Sequence, residues 1–163
     1  YGDKFEYVTE VTRPIARKGL TINEGGDDST QRAIIDAHIN NNRLKDVIMD
    51  RCIIDGLVYT NWLYKEGKVD HHTHDYAYRA YIELIKDLDI VFHTEPVSMV
   101  DDGERSTSFR FQTEIYNLFK HQLERLRYDR INFTGKIVNL EGSVDKRFND
   151  IIMTLQTYEC NAR

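Results

Sequence analysis

Carboxylates and guanidiniums recur in four short clusters along this chain, each just after a segment that reads as a β-strand. The first is Thr9-Glu10-Val11-Thr12-Arg13-Pro14 and the second Asp50-Arg51-Cys52. The third runs from Glu95-Pro96 through Asp101-Asp102-Gly103-Glu104-Arg105-Ser106-Thr107, and the fourth is Glu141-Gly142-Ser143. A carboxylate beside a reacting hydroxyl can accept its proton. A guanidinium offers a planar fork that grips phosphate or carboxylate at two points. Ligands of an open parallel sheet gather at the carboxyl ends of its strands, where these clusters fall. The pattern marks a site and leaves its chemistry open.

The elements that must hold these groups follow from hydrophobic periodicity. Lys4–Thr9 alternates and is rich in β-formers, so it reads as a strand. Ser29–Arg43 carries apolar residues at helical spacing, with Ser29 placed to cap it. Asp46–Asp50 and Leu88–Thr94 are short apolar runs of the buried parallel type, and Lys136–Leu140 is the last strand. Helices are expected over Ile54–Tyr64, His72–Lys86, Thr107–Leu126 and Val144–Leu155. The last of these has Val144, Phe148, Ile151, Ile152 and Leu155 on its inward face. Strands alternating with helices imply an α/β fold, a parallel sheet with helices on both faces. No linker or repeat divides the chain, so residues 1–163 read as a single domain.

Composition narrows the class. The 163 residues are 40% hydrophobic and 30% charged, which suits a soluble domain with its own core. A net charge of −5 argues against holding nucleic acid by bulk electrostatics. No apolar run reaches the length needed to cross a bilayer. Cys52 and Cys160 fit no metal or redox spacing, and a reduced, cytoplasmic chain is expected. His71, His72 and His74, with Asp75 beside them, are too close in sequence to close a tetrahedral site, and read as a solvated loop before a helix. Trp62, Tyr64, Tyr76, Tyr78 and Tyr81 read chiefly as packing residues.

Taken in order, four motifs resemble one group of P-loop kinases. They are E-x-x-R (Glu10 to Arg13), D-R-C-x-x-D (Asp50 to Asp55), D-D-G-x-R-S (Asp101 to Ser106) and L-E-G-S-x-x-x-R-F (Leu140 to Phe148). The group comprises nicotinamide riboside kinases, related AAA-type ATPase/kinase-like proteins of bacteria and phages, and more distantly deoxynucleoside kinases. The resemblance implies a three-layer P-loop NTPase-like fold and transfer of the γ-phosphoryl of ATP, with magnesium, to a hydroxyl of a nucleoside- or nucleotide-like acceptor. A hydroxylated base within DNA also fits, and the acidic charge disfavours it; a homodimer is compatible. By the same resemblance Glu10 is the base, Arg51 the acceptor clamp and Arg105 the lid cation. Arg13, Asp50, Asp102 and Arg110 would assist in binding, with Asp50 near the metal. Cys52 stands where the group usually has Ser, and there a thiol serves as packing or a weak donor.

The group's strand, G-x-x-x-x-G-K-(S/T) loop and first helix are not found among the nine glycines of this sequence. The resemblance implies that such a βα unit, on the order of 20–30 residues, precedes Tyr1. By family topology its strand lies mid-sheet, so its loss leaves two neighbours with unpaired edges. The alternative is a loop-less, non-catalytic nucleotide-binding or protein-interaction module that pairs its open edge with a partner strand.

Overall fold

In the computed structural model, residues 4–95, 106, 108–129 and 131–161 are described. Four strands and six helices alternate along them: β1 (Glu6–Val8), α1 (Thr12–Arg17), α2 (Asp28–Asn41), β2 (Val47–Met49) and α3 (Ile53–Lys65). Then come α4 (His71–Leu84), β3 (Ile90–Thr94), α5 (Phe109–Tyr128), β4 (Lys136–Leu140) and α6 (Val144–Asn161). Both ladders are parallel, which two-residue hairpins cannot make, so each pair is joined by a helical crossover.

Helix starts are set by side chains that satisfy free backbone N–H groups. Asp27, rather than the expected Ser29, caps α2, accepting from the Thr30 amide at 2.9 Å. Asp, Asp and Ser stand in succession here, and all three are good caps, so sequence alone does not separate them. Asp70 caps α4 through the Thr73 amide at 2.7 Å. This places His71, His72 and His74 in the first turn of α4 and not in a loop before it. Ser108, one residue beyond the expected helix start at Thr107, caps α5 through the Phe111 amide at 3.3 Å.

The core lies among α2, α3, α4 and α5. Ile35, Ile53, Ile54, Leu57, Leu63, Ile85 and Leu126 are almost wholly shielded from solvent. Trp62 and Phe111 meet edge to face at 4.7 Å, and Trp62 Nε1 donates to Glu114 at 2.7 Å. Such an aromatic pair, with its polar tip satisfied, contributes about 0.5–1.5 kcal/mol beyond its buried area. Met49, Val91 and Ile137 pack their side chains against this cluster from three different strands.

Two features depart from the expected pattern. The helix Thr12–Arg17 has no counterpart in the sequence reading; its Pro14 stands in the first turn, where the missing N–H costs nothing. On α6, Leu155 is buried as expected, but Val144 and Phe148 are 70% and 61% exposed. They sit in the turns nearest the end of β4, where no described element covers them. Periodicity names an apolar face without naming its partner.

The strands form two separate parallel pairs, β1–β2 and β3–β4, and not one continuous sheet among the described residues. Register is Tyr7 opposite Ile48 in one pair and Phe92 opposite Val138 in the other. Gly135 sets the start of β4: a Cβ there would lie 2.3 Å from the Leu88 carbonyl oxygen. That close approach lets the Lys136 amide donate to Asp89 O at 2.8 Å.

Candidate functional site

The end of β1 and the end of β2 lie side by side because the two strands are parallel and in register. Glu10 follows β1, and Asp50 and Arg51 follow β2, so the ladder itself brings the first two clusters together. Arg51 Nε lies 3.1 Å from Glu10 Oε2 and its Nη1 lies 3.7 Å from Asp55 Oδ1. Arg13, the second residue of α1, holds the other oxygen of Glu10 from its Nε at 3.0 Å. Glu10 is therefore gripped by two guanidiniums and is 19% exposed, which is more than a surface pairing with Arg13 alone.

Arg51 takes φ of +73°, the left-handed region that side-chain-bearing residues seldom adopt. Such a conformation costs on the order of 1–3 kcal/mol and persists only where surroundings fix it. Burial works against its charge, but Asp55, Tyr59 and Glu10 together outweigh that and hold its pKa above the ordinary arginine value.

Asp55 is the third residue of α3, and its Oδ2 accepts from the Cys52 amide at 3.2 Å. Burial raises its pKa, while Arg51 and the backbone donors act in the opposite direction. Beside it, burial and the Asp55 charge push the Cys52 thiol up to about 12, so the sulfur packs and caps but does not attack. Asp50 is exposed, and one carboxylate oxygen accepts from Tyr7 Oη at 3.4 Å. Behind this group, His38 is 2% exposed, and its Nδ1 has no hydrogen-bond partner. Burial, and then the nearby Arg51 charge, lower its pKa to about 4.

Glu10, Arg13, Asp50 and Arg51 line one cavity of about 1510 Å³. Four of the seven residues expected at the site are thus brought together. Arg110 is not among the lining residues; its side chain is 69% exposed and is engaged by Glu114 at 2.9 Å and Glu66 at 3.4 Å. Asp102 and Arg105, with the rest of the expected lid from Asp101, lie outside the described residues.

Asp55, Tyr59 and Arg147 also line the cavity and carried no assigned role from sequence. Asp55 is visible as the last letter of D-R-C-x-x-D, one helical turn after Arg51. Arg147 is the arginine of L-E-G-S-x-x-x-R-F, and its Nε is buried without a partner. Nothing in the sequence distinguishes Tyr59 from an ordinary packing tyrosine. Chemically, the cleft offers an acceptor carboxylate held from both sides, an exposed carboxylate and several guanidiniums. That combination suits proton acceptance beside a phosphate-bearing ligand. Among the described residues no group of three His, Cys, Asp or Glu side chains converges as a metal cage, and no helix is long and apolar enough to cross a membrane.

No curated protein matches the chain. Among solved structures, it is similar to deoxyadenosine kinase from M. mycoides with bound dCTP, at a TM-score of 0.54 and 16% identity, over 94% of this chain and 98% of that one. The likeness shows the fold, an α/β P-loop kinase arrangement of parallel strands and helices. The sequence model of the AAA domain matches residues 3–139. The chain therefore belongs to this AAA-domain family of P-loop NTPases.

Proposed function

We propose that residues 1–163 act as one catalytic domain that transfers the γ-phosphoryl of ATP to a hydroxyl of a nucleoside- or nucleotide-like acceptor. The observation that carries this reading is the Glu10–Arg51 contact at 3.1 Å, which places a carboxylate and a guanidinium from two adjacent strand ends in one cavity. Family membership and the P-loop kinase fold support it. The neighbour's bound dCTP supports an acceptor of the nucleoside or nucleotide class.

In this mechanism the acceptor oxygen attacks the γ-phosphorus and its proton passes to Glu10. The bond to the bridging oxygen breaks, and ADP leaves with that oxygen. Arg13 and Arg51 fix the carboxylate so that it meets the hydroxyl without reorganising. The N–H groups of Arg51 not directed at Glu10 or Asp55 bind the acceptor. In this reading Arg105 and Asp102 interact with the donor's phosphates, as the resemblance implies. The exposed Asp50 carboxylate fits a magnesium ligand position, since that ion takes one or two carboxylates together with substrate phosphates. Magnesium bound there supplies neutralisation of phosphate charge. A cytoplasmic setting follows from this use of ATP.

Among the described residues no strand pairs with the outer edges of β2 and β3, which favours a second reading, a non-catalytic nucleotide-binding or interaction module. An acceptor screen on the protein expressed from its complete open reading frame separates the two. ADP release that requires both magnesium and a nucleoside-like acceptor supports the kinase. Absence of acceptor-dependent release across nucleosides, deoxynucleosides and their monophosphates sinks it.

A further inference from the structure

The structure assigns a surface site for one divalent transition-metal ion, of the copper, nickel or zinc class, to His71 and His74 at the start of α4. The site is made by α3 and α4 alone and stands whether or not the cleft transfers phosphate. In a solvated loop three crowded histidines have no defined geometry. In the first turn of a helix they do. Residues three apart share a face, with Cβ atoms about 5–6 Å apart, so His71 and His74 stand together. His72 is turned from His71 by about 100° round the helix. Tyr64 of α3 lies against the shared face. Its ring stacks on His74 at 4.4 Å and meets His71 at 6.4 Å.

His74 is already arranged as a ligand. Its Nε2 lies 2.9 Å from Asn61 Oδ1, a carbonyl oxygen that only accepts. Nε2 therefore carries the proton, and Nδ1 keeps its lone pair. A metal-ligating imidazole ordinarily donates its other N–H to such an oxygen, which fixes the tautomer and the ring. Held between Asn61 and Tyr64, His74 has little freedom left to lose, and the exposed His71 supplies the second nitrogen. Charge at this helix start favours a cation. Helix starts attract anions, but here Asp70 already accepts from the Thr73 amide at 2.7 Å, and Asp28 accepts from the Asp70 amide at 2.9 Å. An incoming anion would meet both carboxylates. Imidazole nitrogen suits copper, nickel and zinc, whereas magnesium and calcium take oxygen ligands. Asp75, four residues after His71, is held by Arg79, so water completes the shell rather than a third side chain.

The test titrates zinc chloride, and separately magnesium chloride, into the untagged 163-residue chain. Calorimetry reads the affinity, and NMR follows the histidine side-chain resonances. Expected is one zinc ion per chain, with shifts concentrated at His71 and His74. His71→Ala and His74→Ala should each weaken zinc about tenfold or more, since each removes one of two nitrogen ligands. His72→Ala should change the affinity less than about twofold, because its ring is no ligand. Asn61→Leu keeps both imidazoles and should weaken zinc about tenfold, the lower end for a lost outer partner. Circular dichroism checks that each variant folds. His71 is exposed, so its replacement tests the site even where a change at His74 or Asn61 disturbs packing. Equal losses at His71 and His72 overturn the proposal, because they describe a loose cluster and not a pair. Zinc binding as tight to the urea-unfolded chain, the mark of adventitious chelation only, overturns it too. So does magnesium binding as tight as zinc, which would place the ligands on carboxylates.

Discussion

Arg51 Nε and Glu10 Oε2 stand 3.1 Å apart, although forty residues of chain separate the two groups. The contact joins the carboxyl ends of β1 and β2 and fixes where a proton acceptor meets an anion-binding cation. Glu10→Gln keeps the shape and most hydrogen-bonding capacity but removes the proton acceptor. Turnover should fall about 100-fold or more, in the range attributed to general-base catalysis, with ATP affinity nearly unchanged. Steady-state kinetics with a direct ATP-binding measurement check this. Unchanged turnover removes Glu10 from its role.

Asp55 touches no ligand in the proposed mechanism and acts by holding Arg51 and the start of α3. Asp55→Asn should raise the acceptor KM more than it lowers kcat, because the guanidinium loses one of its fixed partners. It should also lower stability by roughly 1 kcal/mol, the scale of a lost helix cap. A melting curve beside the kinetic comparison reads both. A fall in kcat alone points to a direct chemical part for this carboxyl.

Arg147 and Arg110 give opposite expectations. Arg147 lines the cavity with a buried, unpartnered Nε, and an unmet donor there costs about 1–3 kcal/mol until an anionic ligand arrives. Arg147→Ala should therefore raise the KM for ATP about tenfold or more with little loss of stability. Arg110 is exposed and held by Glu66 and Glu114, so Arg110→Ala should leave turnover unchanged and cost under about 1 kcal/mol. Exchanged outcomes for the two variants would reverse their assignments.

His38 gives the protein a pH-dependent weakness. Its folded pKa, about 4, lies below the ordinary 6.5. Above 6.5 neither folded nor unfolded chain holds the extra proton; below it the unfolded chain takes one up and the buried ring resists. Stability therefore declines as pH falls from about 6.5 to about 4, by up to about 3 kcal/mol, and this contribution levels off below that. Urea unfolding at pH 7, 5.5 and 4.5 checks the slope, and His38→Leu should flatten it. An identical slope in the variant places the sensitivity elsewhere.

Gly135→Ala should destabilise the protein by about 1–3 kcal/mol, because the added methyl meets the Leu88 and Asp89 carbonyl oxygens at 2.3 and 2.7 Å. The loss should appear first as faster amide exchange along β4. Wild-type exchange in that strand would show that the backbone shifts at no cost.

The parts of the fold legible in the sequence are those where one local rule decides. Lys136–Leu140 carries Ile137, Val138 and Leu140 between Gly135 and Gly142, and it is the strand with those same limits. Where several rules compete, the boundary moves, as at Asp27, Asp28 and Ser29. Alternation of strands and helices predicts parallel pairing but does not say which strands touch, so the separation of β2 from β3 was legible only by resemblance. The site follows the same logic. Glu10, Arg13, Asp50 and Arg51 are readable because their types are chemically marked and their positions follow strands. Tyr59 became a partner of Arg51 only through the packing of α3, and no spacing rule reports that.

Met49 and Val91 belong to different strand pairs, yet both rest on the same helical core. The distance between the tips of β2 and β3 is thus set from below, by how tightly α3 and α5 close on Trp62 and Phe111. Trimming a side chain in that layer, far from any reacting atom, would act like changing the spacer under a pair of jaws. Substitutions off the cavity wall such as Trp62→Phe are then expected to alter which ligands the cleft accepts before they alter whether the chain folds.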